Sequence, residues 1–328
     1  MTQQAFVKRR EKDWKQFEGI ITGDRKALRE KAGWFPQAFR ELNGDLNTAR
    51  AHSFDPSLIE KLNRLTLEGS QLLYGRKPFS LKQVYVFIFR TFPRAVRAQW
   101  RSFAVCSLIF YGLAVFALFV CLRFPAFTFE IMSRWEASSL ETMYNPESEY
   151  YLNPREISTD ADMFGYYIFN NVSIAFRNFA GGLVAGIGSL LSLAFNGVFL
   201  GVAAAHIINK GFQDTFFSFI IGHSGFELTA LVLSAQAGLH LGYSFFITKG
   251  LTRGESLREA GKSSLPIIAG STVMLVIAAA IEAFWSSRHE FPVELRYGAG
   301  VFFIVLIAAY FIFAGRREKP AGEEKEAS

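Results

Sequence analysis

His223 and Glu227 stand one helical turn apart on a shared face in the apolar half of this chain, with Ser234 nearly above them. Two such groups at that spacing could grip a metal ion, relay a proton or form a structural ion pair. The run His223-Ser-Gly-Phe-Glu227 is not the HExxH pattern of metalloproteases, and no third ligand follows at a diagnostic distance, so no metal or other cofactor is expected. Ser224 adjoins His223 in the chain, but a serine nucleophile needs a base within hydrogen-bond reach, which adjacency does not supply. No Walker loop is present, and an enzyme is not expected.

Further polar residues occupy the same region: Asn170, Asn171, Arg177, Asn178, Asn196, His206, Gln236 and His240. Asn170, Ser173 and Arg177 lie along one side of a helix, while Gln236, His240 and Ser244 form another stripe. Glu227 and Glu282 are the only acids placed well inside apolar segments. A charge there costs about 2.5–3.5 kcal/mol even on insertion scales, so each should face the bundle interior with a partner. The expectation is a polar core of Asn170, Asn171, Arg177, Asn196, Gly197, His223 and Glu227, in which Arg177 or His223 pairs with Glu227. A proton or ion relay, in a channel or transporter, is the alternative.

These residues need a membrane to matter, and composition supplies one. Of 328 residues, half are hydrophobic and 35 are Phe. Residues 1–101 carry 20 Lys+Arg against 10 Asp+Glu, which leaves 15 against 19 for the rest of the chain. From Ser102 onward come several nearly uncharged stretches of about 20 residues, the length a helix needs to cross the hydrocarbon core. A soluble globular enzyme and a mostly disordered chain are both excluded. The first long apolar run begins near Ser102, so no secretory signal peptide is expected. Cys106 and Cys121 fall roughly 22 Å apart along one helix and cannot bridge within it.

Ser102–Leu122 is the clearest span, with Arg90, Arg94, Arg97 and Arg101 before it. Residues 123–162 hold Arg123, Arg134 and Arg155 against eight acids, Glu130, Glu136, Glu141, Glu147, Glu149, Glu156, Asp160 and Asp162, so this loop is expected outside and the N-terminus inside. Spans at 265–285 and 297–314 are flanked by Lys249, Arg253, Arg258 and Lys262, then by Arg316, Arg317 and Lys319. Both flanks read as cytoplasmic, which requires an odd number of crossings between them and the acidic loop. Three, at 163–181, 183–208 and 224–248, give an all-α bundle of about six spans. A five-span version stays open, as does a re-entrant piece at Phe216–Gly222. The domains expected are a basic helical cytoplasmic arm at 1–101, a transmembrane bundle at 102–315 and a charged tail at 316–328.

In the arm, Phe6, Arg10, Trp14 and Phe17 fall at helical spacing, and Leu58, Leu62, Leu65 and Leu72 mark a second amphipathic stretch after Asp55-Pro56. Pro36 and Asn43-Gly44 are expected to break helices. The arm has no nucleic-acid module, and its charge suits an anionic inner leaflet, with Trp14 and Phe17 in its apolar contacts. In the bundle, 13 of the 27 glycines lie between Gly181 and Gly254. The pairs Gly182/Gly186, Gly197/Gly201 and Gly238/Gly242 have the four-residue spacing that lets helices approach closely in lipid.

Together these elements resemble a known family. Ile168-Phe-Asn170-Asn171-Val-Ser-Ile-Ala175, Gly181-Gly182, Gly186, Phe195-Asn196-Gly197, Gly201, Gly222-His223-Ser-Gly225-Phe-Glu227 and Ala237-Gly238-Leu-His-Leu-Gly242 are similar, in that order, to the stage II sporulation protein M family. The arm resembles a common N-terminal pattern of that family at Phe6-Val-Lys-Arg-Arg10, Trp14, Asp45-Leu46, Ala49-Arg50, Leu62-Asn63-Arg64-Leu65 and Leu73-Tyr74. Ser224 departs from it, since glycine is expected directly after the histidine. The resemblance implies an integral protein of the bacterial cytoplasmic membrane without catalytic activity of its own. It also implies a scaffold for other membrane or cell-wall-remodelling proteins, since in spore formers the family's namesake works with two cell-wall hydrolases; the lipid bilayer is a further expected partner, and a homo-oligomer stays open.

Overall fold

The computed structural model describes residues 2–22, 33–74, 80–152, 157–248, 250–288 and 290–316. Lys249, Arg155 and Glu156, and the charged tail from residue 317 onward lie outside the described residues. The chain forms two compact units, residues 1–80 and 81–328. The boundary expected at 101 therefore moves back by a fifth of the arm. The reason is packing: the short helices α4 (Leu81–Val86) and α5 (Phe92–Ala98) flank a π-helical turn at Phe87–Thr91, and Phe92 and Val96 enter the bundle core.

The first unit holds α1 (Gln3–Thr22), α2 (Phe35–Ala51) and α3 (Pro56–Tyr74). Phe6, Trp14 and Phe17 of α1 bury against Leu42, Leu46 and Ala49 of α2 and Leu62 and Leu65 of α3. Trp14 and Phe17 are thus core residues of the arm, each 2% exposed, and are not available as lipid contacts. Pro36 sits in the first turn of α2, where its missing N–H would have no helical partner anyway. Asn43-Gly44 does not break the helix, contrary to its local preference. Leu42, Asp45, Leu46 and Ala49 on the same stretch are all buried, and that burial outweighs the propensity of two residues. Asn43 Nδ2 donates to the Phe39 carbonyl one turn back.

Asp45 ties this core together. Trp14 Nε1 donates to Asp45 Oδ2 at 2.8 Å, and Arg10 Nε donates to both carboxylate oxygens at 3.2 and 2.9 Å. Arg10 also reaches Asp13 and Glu41. Burial disfavours the charge on Arg10, but the hydrogen bonds to Asp45 and Glu41 outweigh it and raise its pKa. Asp45→Ala leaves a buried indole N–H and a half-buried guanidinium without their acceptor, a cost of about 1–3 kcal/mol. We expect the thermal transition of the arm to fall accordingly, and Asp45→Asn, which keeps an acceptor, to lose less. Equal transitions for both variants would contradict this role.

The second unit is a bundle of six long helices: α6 (Trp100–Arg123), α8 (Ile157–Ala180), α9 (Ile187–Asn209), α10 (Gln213–Ser244), α11 (Arg253–Ile281, continued by a π-helical turn at Glu282–Ser286) and α12 (Val293–Phe313). A shorter helix, α7 (Arg134–Tyr144), follows α6. No strand occurs among the described residues. Five of the helices, α6 and α9 to α12, are long and apolar enough to cross a membrane. α8 has the length, 24 residues, but Asn170, Asn171, Arg177 and Asn178 carry it below that apolar standard. It nonetheless runs the depth of the bundle beside α10, from Asp160 paired with Arg288 at one end to the Gly181–Leu183 turn packed on Gly238 at the other. The stretch Phe216–Gly222 is the first part of the 32-residue α10 and not a separate re-entrant piece.

The bundle exposes large apolar side chains and buries polar ones beside an apolar core. Leu108 and Phe116 on α6 and Phe302 on α12 are 59–76% exposed, whereas Asn178, Ser234, Gln236, Ser264 and Ser271 are fully buried. That is the distribution a lipid solvent selects, because polar groups must find partners inside the protein. Residues 123–152 and the starts of α8, α10 and α12 share one end, which is acidic. The other carries Arg90, Arg94, Arg97 and Arg101. There Arg97 donates to the carbonyls of Phe311 and Ala314, and Arg94 to that of Gly315, so two of these arginines cap the last turn of α12.

Glycines set the closest approaches. α10 touches each of the other five long helices. A Cβ on Gly238 would meet the carbonyls of Asn178 and Phe179, at 2.7 and 2.8 Å, and one on Gly242 would meet the backbone of Ala185 and Gly186. Gly182/Gly186 and Gly238/Gly242, picked out by spacing alone, therefore face each other. Gly186, at φ 81°, makes the left-handed reversal that returns the chain into α9. Gly197 lies against the carbonyl of Phe110, 2.5 Å from where its Cβ would stand, and Gly201 lies against that of Ala114 on α6.

Candidate functional site

His223 projects from α10 toward the π-helical turn that ends α11. Two glycines beside it make the approach possible: a Cβ on Gly222 would stand 3.0 Å from Ser286 Oγ, and one on Gly225 would stand 3.0 Å from Ile304 of α12. His223 Nδ1 is 3.1 Å from Ser286 Oγ, and Nε2 is 3.8 Å from Glu227 Oε2. Glu282, the first residue of the π turn, brings a second carboxylate: one donor atom from each of His223, Glu227 and Glu282 lies within 4.8 Å of the others. Arg296 of α12, itself buried, donates from Nη2 to the Ser286 carbonyl at 2.9 Å and fixes the turn from behind.

The arrangement brings together one imidazole and two carboxylates in a segment that faces lipid on its outer side. It can hold a cation or share a proton between the acids. It is a poor serine triad, because Ser286 is 1% exposed and the imidazole-to-Glu227 distance exceeds a hydrogen bond. Ser224 donates back to the Ile221 carbonyl of its own helix and does not engage the ring.

The other residues expected in the polar core are only partly gathered. Asn171 is buried and accepts from Asn170 Nδ2 at 3.1 Å. One turn or two further along α8, Asn178 contacts the Leu231 carbonyl and Ser234, a register that sets Asn171 at about the depth of Glu227. Arg177 lies on the exposed side of α8, so of the two pairings expected for Glu227 the one with Arg177 does not form, while His223 stands 3.8 Å away; the helical stagger between 177 and the buried 171, 175 and 178 turns the arginine outward. Asn196 donates to the Ser192 carbonyl of its own helix, and Gly197 serves the contact with α6. Glu282, Ser286 and Arg296 join the site from outside the expected polar core; Glu282 is legible in the sequence as an acid inside a span, but periodicity within one helix carries no register between helices.

A second polar cluster stands at the acidic end. There α7 folds back on α9, with Met132 and Ala137 buried against Cys121, Val202 and Ala205. Ser133 and Glu136 form a capping box that starts α7. Glu141 accepts from His206 Nε2 at 2.8 Å and from Lys210 Nζ at 3.1 Å. Burial works against the ionised Glu141, but the hydrogen bonds from Lys210 and His206 prevail and lower its pKa. A lowered folded pKa means that the stabilisation is present above the ordinary carboxylate range and lost as pH falls through the folded value. Glu141→Gln should therefore quicken hydrogen exchange in residues 134–144 at neutral pH, and the difference from wild type should vanish in acid below the ordinary range. A difference that persists there would contradict the assignment.

Comparison with known proteins agrees with this architecture. The stage II sporulation protein M family model matches residues 102–287, more than half of the chain. The chain belongs to the stage II sporulation protein M family. The matched stretch takes in α6 to α11 and so includes His223, Glu227 and Glu282, whereas Arg296 lies beyond it. A separate domain family of unknown function, DUF8413, matches residues 4–75, close to the first compact unit. The chain is also similar to an uncharacterized protein of Methanocaldococcus jannaschii, 30% identical over 128 residues, which cover 37% of this chain and 69% of the relative. No solved structure matches.

Proposed function

We propose that this member of the stage II sporulation protein M family is a non-enzymatic membrane scaffold that recruits or organises proteins of cell-envelope remodelling, peptidoglycan enzymes among them. It sits in the bacterial cytoplasmic membrane with both termini on the cytoplasmic side. The observation that carries this reading is the way the interior is filled. Where a conduit would line a path with its polar residues, here α10 meets its neighbours backbone to backbone at Gly238 and Gly242, Asn178 bonds Ser192, and Asn196 turns onto its own helix. Family membership supports the envelope setting, and the charge asymmetry between the two ends supports the orientation. The folded arm and the α7 cap each give the chain a surface for partners.

Two measurements test this. Purified protein in liposomes should move neither protons nor small cations at any pH; saturable flux would replace the scaffold by a transporter. For orientation, cysteines at Ser138 in α7 and at Gly254, where a Cβ meets nothing, should be introduced in a background without Cys106 and Cys121. A membrane-impermeant thiol reagent applied to whole cells should label the first and spare the second. The reverse pattern would invert the topology.

A further inference from the structure

The geometry points to a zinc site inside the bundle, formed by His223 Nε2 and the carboxylates of Glu227 and Glu282. The proposal goes beyond the scaffold reading and stands or falls separately from it. Its first support is placement. Three donor atoms from two helices lie within 4.8 Å of one another, and His223 Nε2 is already 3.8 Å from Glu227 Oε2. Ligands about 2.1 Å from a shared tetrahedral zinc stand about 3.4 Å apart, so side-chain rotations of about an ångström close the site.

The second support is orientation. His223 Nδ1 lies 3.1 Å from Ser286 Oγ, and in the tautomer that carries its proton on Nδ1 the lone pair of Nε2 is on the side of the carboxylates. A hydrogen bond on the far nitrogen is the usual partner of a metal-bound imidazole, since it fixes both tautomer and ring plane. Ser286 is in turn held through its carbonyl by Arg296, so the turn that presents Glu282 has a firm backing.

The donor set is the third. A divalent ion with two carboxylates and a neutral imidazole is balanced in charge, which suits a lipid setting. Imidazole with carboxylate favours zinc and its neighbours over magnesium, which prefers an all-oxygen shell and keeps its waters. Glu227 retains about a fifth of its side-chain exposure, and Glu282 opens the π-helical turn at the acidic end. A bound zinc would pin α10 to the end of α11.

Metal content of the full chain, purified without a histidine tag and exposed to Zn²⁺ before dialysis, tests the proposal. We expect about one zinc per chain, a thermal transition raised by Zn²⁺ and not by Mg²⁺, and X-ray absorption showing an oxygen and nitrogen shell with one imidazole. Glu282→Gln and His223→Asn should lose the stoichiometric zinc, Ser286→Ala should weaken it by roughly 10–100-fold as an orienting group, and His206→Ala should leave it intact. Zinc lost with His206→Ala and kept with Glu282→Gln would overturn the site, as would a wild-type chain that retains no zinc. Should the ligand variants fail to fold, stoichiometry and the absorption spectrum of the wild type decide: a zinc shell with sulfur, or none, refutes it.

Discussion

Gly201→Ala should cost about 3 kcal/mol or more, at or above the upper end for overpacked sites, although it adds only one methyl group. The Cβ would fall well inside the contact distance of the Ala114 carbonyl, and the obstacle is helix backbone, which cannot rotate away as a side chain can. Only a separation of α6 from α9 relieves it, and that opens the densest contact in the bundle. Gly112 on α6 is the matched control, because a Cβ there meets nothing within 4 Å. Gly112→Ala should be neutral or slightly stabilising, since alanine favours helix over glycine by about 1 kcal/mol. Unfolding midpoints in detergent compare the two directly. Equal midpoints would show that glycine packing does not hold these helices together.

Arg288→Ala is expected to destabilise the acidic end by about 3 kcal/mol, the lower part of the range for a broken buried ion pair. Asp160 is fully buried and accepts from Arg288 Nη2 at 2.6 Å, while its other oxygen has no hydrogen-bond partner among the described residues. Without the arginine, a buried carboxylate stays in place with no cation beside it. Arg288 is about a third exposed, which argues for the lower figure. The double variant Asp160→Ala/Arg288→Ala should recover part of the loss, because no buried charge remains unpaired. A double variant no better than Arg288→Ala would mean that the pair contributes through shape alone.

What could be read from the sequence, and what could not, divides along physical lines. Trp14, Phe17, Leu62 and Leu65 were legible as core faces because helical periodicity reports burial directly. The glycine pairs were legible because tight helix contacts in lipid demand small residues at that spacing, whatever the partner. Asn43-Gly44 misled because local propensity lost to the burial of its neighbours. The cap helix α7 carried a readable start signal, Ser133-Arg-Trp-Glu136, hidden behind the acidity of its surroundings. The meeting of Glu282 with His223 was out of reach, since it depends on how far two antiparallel helices slide past each other before Gly222 and the π turn lock them. Arg177 failed for a related reason: a costly residue was assigned a partner by charge, when its angular position on α8 points it outward.

If this membrane protein works by gathering other proteins, crosslinking in living cells, with the chain at native level and an unrelated multi-spanning membrane protein as control, should enrich peptidoglycan-remodelling enzymes on it, and its deletion should mislocalise them. Enrichment no greater than on the control, with those enzymes correctly placed in the deletion strain, would contradict that role.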